Sequence, residues 1–154
     1  MRILILNLLL IFLFNNLSYS QETFEINADK IFYKKNNELI IAKGNAVAND
    51  KFSRVIKANE INYNKNKNII ETFGSSKFES PKIKLNADIL KYDLNTKTIF
   101  AEKNVEIIDK DKNKFLMDKL FFNEIEQSGE AYNIKAEFND GSRSEHYCPE
   151  GWPQ

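Results

Sequence analysis

The sequence predicts an all-β protein: a sandwich or rolled sheet built by stacking strand–turn–strand units along one axis. Three observations carry this. Four phrases repeat in register, "ADKIFYKKNNELIIAKGNA", "ANEINYNKNKNIIETFGSS", "ADILKYDLNTKTIFAEKNV" and the looser "MDKLFFNEIEQSGEAYNIK", with aromatic landmarks Tyr33, Tyr63, Tyr92 and Phe122 spaced 30, 29 and 30 residues apart. Within each phrase apolar residues alternate with polar ones, the period of a strand with one dry and one wet face. Helical spacing fits poorly, and helix punctuation is missing.

Taken in order, the chain opens with Arg2, an apolar run "ILILNLLLIFLF" (Ile3 to Phe14) and small residues Ser18 and Ser20 before Gln21. That is the pattern of a secretory signal peptide over residues 1–20, too short to span a bilayer, which predicts export; an uncleaved anchor is the alternative. Residues 21–143 form the repeat domain. Five residues before each landmark stands Ala28, Ala58, Ala87 or Met117, followed by Asp29, Asn59, Asp88 or Asp118. Two before it stands Ile31, Ile61, Leu90 or Leu120, and nine after it Ala42, Thr72, Ala101 or Ala131. In "EINY" and "DILKY" the aliphatic residue and the tyrosine share a face, while Glu60, Asn62 and Lys91 take the other. A polar turn ("KKNNE", "NKNKN", "DLNTK") leads into a strand rich in Ile, Phe and Val, and Gly44 and Gly74 mark a bend or bulge. One such pair of strands cannot bury its apolar face alone, so successive pairs must stack, leaving an unpaired strand edge at each end.

The alternation selects an inward set: Ile31, Tyr33, Ile40, Ile61, Tyr63, Ile70, Leu90, Tyr92, Ile99, Val105, Ile107, Leu120 and Phe122. These residues fit a packed core and a groove lining equally well. Chemistry is not expected of the repeats. Lys plus Arg and Asp plus Glu both number 22, so no net field points at nucleic acid or an anionic surface. The single His146 and single Cys148 lie after the repeats, which removes Ser–His and Cys–His catalysis from them. Asp29, Asp88 and Asp118 recur as structural corners would. "DKDKN" (Asp109 to Asn113) imitates the start of a calcium loop but has Lys114 where Gly is needed and Leu120 where the bidentate Glu belongs, so it predicts a turn. Neither a metal, a cofactor nor an enzyme activity is expected.

The phrase Ala-Asp-x-Ile-x-Tyr, polar turn, apolar strand, then Gly-Asn-Ala-Val resembles the OstA-like repeat of lipopolysaccharide-transport proteins, from about Glu25 to Arg143. The segment from Asn104, closing on Gly141-Ser142-Arg143, is more similar to the periplasmic N-terminal domain of the LPS-assembly protein LptD. The resemblance implies a V-shaped β-jellyroll in the periplasm that holds acyl chains of lipopolysaccharide between its walls. It further implies docking edge to edge with other jellyroll domains of the transport bridge, and with the outer-membrane assembly complex if the chain is part of an LptD. A free-standing LptA-like bridge and an anchored LptC-like protein are alternatives within the family; a structural β-repeat with a filled core is the alternative outside it. Residues 144–154, "SEHYCPEGWPQ", abandon the repeat grammar and are expected to be an unstructured tail, foreign or frame-shifted, on a fragment of a longer LptD-like gene.

Overall fold

The computed structural model describes residues 24–36 and 38–146. Among them eleven strands follow one another: β1 Glu25–Asn27, β2 Lys30–Lys34, β3 Leu39–Asn49, β4 Val55–Asn64, β5 Ile69–Glu79, β6 Ile83–Asp93, β7 Thr98–Asp109, β8 Lys114–Asn123, β9 Ser128–Tyr132, β10 Ile134–Glu137 and β11 Arg143–His146. They form one antiparallel sheet, in the order β1-β3-β4-β5-β6-β7-β8-β10-β11, with β2 also on β3 and β9 also on β8. The sheet is open rather than a barrel, so the rolled sheet, not two separate sheets, is the form the stacked units take. The expected signal peptide lies outside the described residues. So do Cys148 and the rest of the tail from residue 147. The tail's first residues are not unstructured, however: β11 runs through Ser144 and Glu145 to His146, paired with Ile134 to Glu137. Backbone hydrogen bonding to β10 continues there regardless of the lost repeat grammar.

Each long strand is interrupted once near its middle. Pairing slips between Lys43 and Ala46, Lys57 and Glu60, Phe73 and Ser76, Asn86 and Ile89, and Glu102 and Val105. A bulge bends its strand and strengthens the local twist. Bulges aligned across the sheet fold it along one line into two arms. The first arm carries the turns after β3, β5, β7 and β10; the second carries those after β2, β4, β6 and β8.

The recurring Asp is the part that sets this line. Gly44 and Asn45 both take left-handed backbone, φ +75° and +47°, and the Asn45 amide donates to Asp29 Oδ2 at 3.0 Å. The same link recurs from Asn104 to Asp88 at 2.9 Å and from Asn133 to Asp118 at 2.6 Å, with φ of 52° and 54° at the donors. Gly44 and Gly74 are needed for a second reason. A Cβ would stand 2.5 Å from Asp29 Oδ2 at the first and 2.9 Å from Asn59 Nδ2 at the second.

Register explains why other repeat positions are fixed. Tyr33, Ile40, Tyr63, Ile70, Tyr92, Ile99 and Phe122 are successive partners in one row across the sheet. Ile31, Ala42, Ile61, Thr72, Leu90, Ala101, Leu120 and Ala131 form the next. On the first arm Ala48, Ile56, Phe78, Leu85, Ile107 and Phe115 form the facing row. The arms close on these rows: Phe78 and Tyr92 rings meet at 5.6 Å. Small residues at the crease, Ala46 against Ala58 and Ser76 against Ala87, let them do so. The wet outer face is stitched by cross-strand ion pairs such as Lys43–Glu60 at 2.8 Å and Lys119–Glu102 at 3.2 Å.

Candidate functional site: the groove between the arms

The interior is not uniform along the stack. Eight residues of the inward set, Ile61, Tyr63, Ile70, Leu90, Tyr92, Ile99, Val105 and Leu120, are buried. Burial also pushes the Tyr63 phenol up from its ordinary value. Ile31, Ile40, Ile107 and Phe122 are partly buried and packed against this cluster. Tyr33 belongs to the inward row but stands on the edge strand β2 and is 59% exposed. The middle of the molecule is therefore filled with side chains.

Between the tips of the arms the packing gives way to a groove of about 790 Å³. Phe52, Arg54, Ile83 and the Asp109–Asp111 turn line it from the first arm; Phe122, Glu124, Ile125 and Gln127 line it from the second. Its lining is mainly apolar, with Lys82, Lys97 and Lys110 also on the walls. The volume is within the usual range for a small-molecule site, about 300–1,000 Å³. Of the inward set, Phe122 alone reaches this groove. Phe52, Ile83 and Ile125 lie in or beside turns, where alternation gives no direction, so the sequence reading missed them.

Three turns shape the groove, each held by an Asp or Asn side chain that replaces backbone partners. Asp50 Oδ1 accepts from Phe52 N at 2.8 Å and Arg54 N at 3.0 Å. Asp109 Oδ1 accepts from Asp111 N at 2.8 Å and Asn113 N at 2.9 Å, while Asn113 Nδ2 donates to Asp109 Oδ2 at 2.8 Å. The "DKDKN" segment is thus a turn between strands, as expected. Asn123 Oδ1 accepts from Ile125 N at 2.9 Å and Glu126 N at 3.1 Å, setting Ile125 at the rim, 70% exposed.

At one side the groove ends on a polar cluster beneath aromatic rings. Arg54, 7% exposed, donates from Nε to Asp50 Oδ2 at 2.5 Å, and from Nη1 to the Tyr92 hydroxyl. Tyr92 in turn donates to Glu124 Oε2 at 2.7 Å. The guanidinium carbon lies 6.0 Å from the Phe24 ring, 5.2 Å from that of Phe52 and 5.4 Å from that of Tyr92, within cation–π range. Among the described residues no group of three or more His, Cys, Asp and Glu side chains converges as metal ligands would.

Residues 53–135 match the OstA-like protein family. The chain belongs to that family. Among solved structures the OstA-like chain resembles LptH of Pseudomonas aeruginosa, described as the LptA-homologous periplasmic component of the lipopolysaccharide transport device. The TM-score is 0.65 over 83% of this chain and 96% of LptH, at 13% identity. At that identity the likeness is one of fold, the LptA-type jellyroll. No curated protein matches the chain at a significant level of sequence similarity. The OstA-like match covers the bends at Gly74, Asn104 and Asn133 and both walls of the groove, apart from Phe52.

Proposed function

We propose that this OstA-like chain is a periplasmic lipopolysaccharide-binding and transfer module, taking acyl chains into the apolar space between its arms. The observation that carries the reading is the groove lined by Phe52, Ile83, Phe122 and Ile125, continuous with the Tyr92–Ile99–Phe122 row beneath it. Each methylene transferred there contributes about 0.8 kcal/mol, so a chain of ordinary length is held without a charged anchor inside. Lys82, Lys97 and Lys110 stand on the walls, where the phosphates of such a lipid would remain near water. The fold shared with LptH, and that protein's description as a transport component, support the same role.

Docking edge to edge belongs to the same proposal. The sheet ends on β1 and β2 at one side and on β9 and β11 at the other. Unpaired strand edges invite strand addition by another sheet. The partners are other jellyroll domains of the transport bridge, and the outer-membrane assembly complex if the chain works as an LptD N-terminal domain. Fractionation of periplasm, inner membrane and outer membrane separates the LptA-like, LptC-like and LptD-like forms.

The groove is tested by Ile125→Asp, an exposed rim position whose change leaves the packed rows intact. Affinity for lipopolysaccharide should fall about tenfold, the worth of one well-buried aliphatic side chain. Phe121→Asp, on the outer face and 49% exposed, should leave it unchanged. Equal affinities in both variants would sink the reading.

A further inference from the structure

Two turns from opposite arms are tied together across the groove. Arg54 closes the β3–β4 turn of the first arm, and Glu124 opens the β8–β9 turn of the second, where its N–H donates to Lys97 O at 3.0 Å. Arg54 Nη1 stands 3.5 Å from Glu124 Oε2, and Tyr92, wholly buried, hands a second hydrogen bond from its hydroxyl to the same oxygen at 2.7 Å. Both Arg54 and Glu124 also wall the groove, so the tie spans the opening it borders. Resting on the transport reading, we propose that Arg54, Tyr92 and Glu124 form a latch that holds the arms closed and gates the entry of acyl chains into the filled interior.

The tie is unequal, and that fixes where it breaks. On its own arm Arg54 is held by Nε and Nη2, each 2.5 Å from Asp50 Oδ2, and the Asp50 side chain is only 1% exposed. Across the groove Arg54 donates to the Tyr92 hydroxyl and reaches, at 3.5 Å, a Glu124 side chain 21% exposed. Parting the arms therefore breaks the Arg54 contacts to Tyr92 and Glu124; water can solvate Glu124, while Arg54 keeps Asp50, so no buried charge is orphaned. Behind the latch lie Phe78 and Ile99, both fully buried. Parting the arms in water exposes these apolar rows, which is unfavourable; an acyl chain entering the gap covers them again. The latch thus rests closed without cargo and opens with it.

The test uses the full chain in a Cys148→Ser background with spin labels at Lys82→Cys and Gln127→Cys, exposed positions on opposite walls of the groove. Inter-label distances and the uptake rate of fluorescent lipopolysaccharide are measured for this parent and for Glu124→Ala. The latch predicts a longer, broader distance distribution in the variant without lipid. It also predicts uptake faster by about tenfold, the effect of one charge-assisted hydrogen bond. Glu124→Gln, which keeps an acceptor for Tyr92 and removes the charge, should fall between. Lipid uptake by both proteins at one rate, with unchanged distances, overturns the latch and leaves the transport reading standing. No uptake by either, even with parted arms, overturns the transport reading and the gate together, leaving a structural tie.

Discussion

Arg54 is one of three arginines in a chain whose 22 basic residues are otherwise lysine. Its position asks for what lysine lacks: a planar fork that meets Asp50 and Tyr92 in different directions while lying among three rings. Arg54→Lys keeps the charge and loses the fork, so it should lower stability by about 1–3 kcal/mol in urea unfolding. An unchanged midpoint would mean that the cluster contributes nothing to the closed form. No repeat position encodes this residue. Its partners across the groove lie 38 and 70 residues away, and the only trace in the sequence is the choice of Arg where lysine would serve an ordinary turn.

At the scale of strands, the bend was legible and its mechanism partly so. Gly44 and Gly74 announce two bulges, but the β7 bulge holds Lys103 and Asn104 at φ 66° and 52°, and the next bend turns on Asn133. The periodic Asp was the better marker, because in three repeats its carboxylate receives the Asn amide that stabilises the left-handed residue. The inward rows follow from alternation, whereas the groove does not, because three of its apolar residues belong to turns or their margins. A surface pair tests the register of the β7–β8 hairpin. Lys114 donates to Glu106 at 2.6 Å and, against partial burial and together with Asn86, holds its carboxyl below the usual glutamate range. The folded state thus binds that proton less tightly than the unfolded chain. The stabilisation is present above the ordinary glutamate value and is lost as pH falls through the lower native one. Lys114→Met should therefore unfold earlier than the parent in urea at neutral pH, and at the same urea concentration in acid where Glu106 is protonated. A difference that persists in acid would assign the effect to packing instead of the ion pair.

For the whole molecule, one sheet folded along a line of bulges gives two properties at once. The apolar face closes on itself, so the chain needs no second sheet, and among the described residues the sheet ends on β1 and β2 at one side and on β9 and β11 at the other. Closure is complete in the middle, where Ile61, Ile70, Leu90 and Ile99 are fully buried, and incomplete at the tips beside Phe122. A repeat sequence specifies both states with the same residue types, which is why alternation could not decide between packed core and lipid wall. Neighbouring positions on β8 separate the faces: Phe122 turns into the groove and Phe121 away from it. The most direct measurement is photo-crosslinking of lipopolysaccharide to a photoreactive residue placed at each in turn. A lipid-carrying groove gives a lipid adduct at 122 and none at 121. Adducts at 121 alone, or at neither position in a folded protein, would contradict a lipid-carrying interior and leave a packed sheet whose repeats serve architecture.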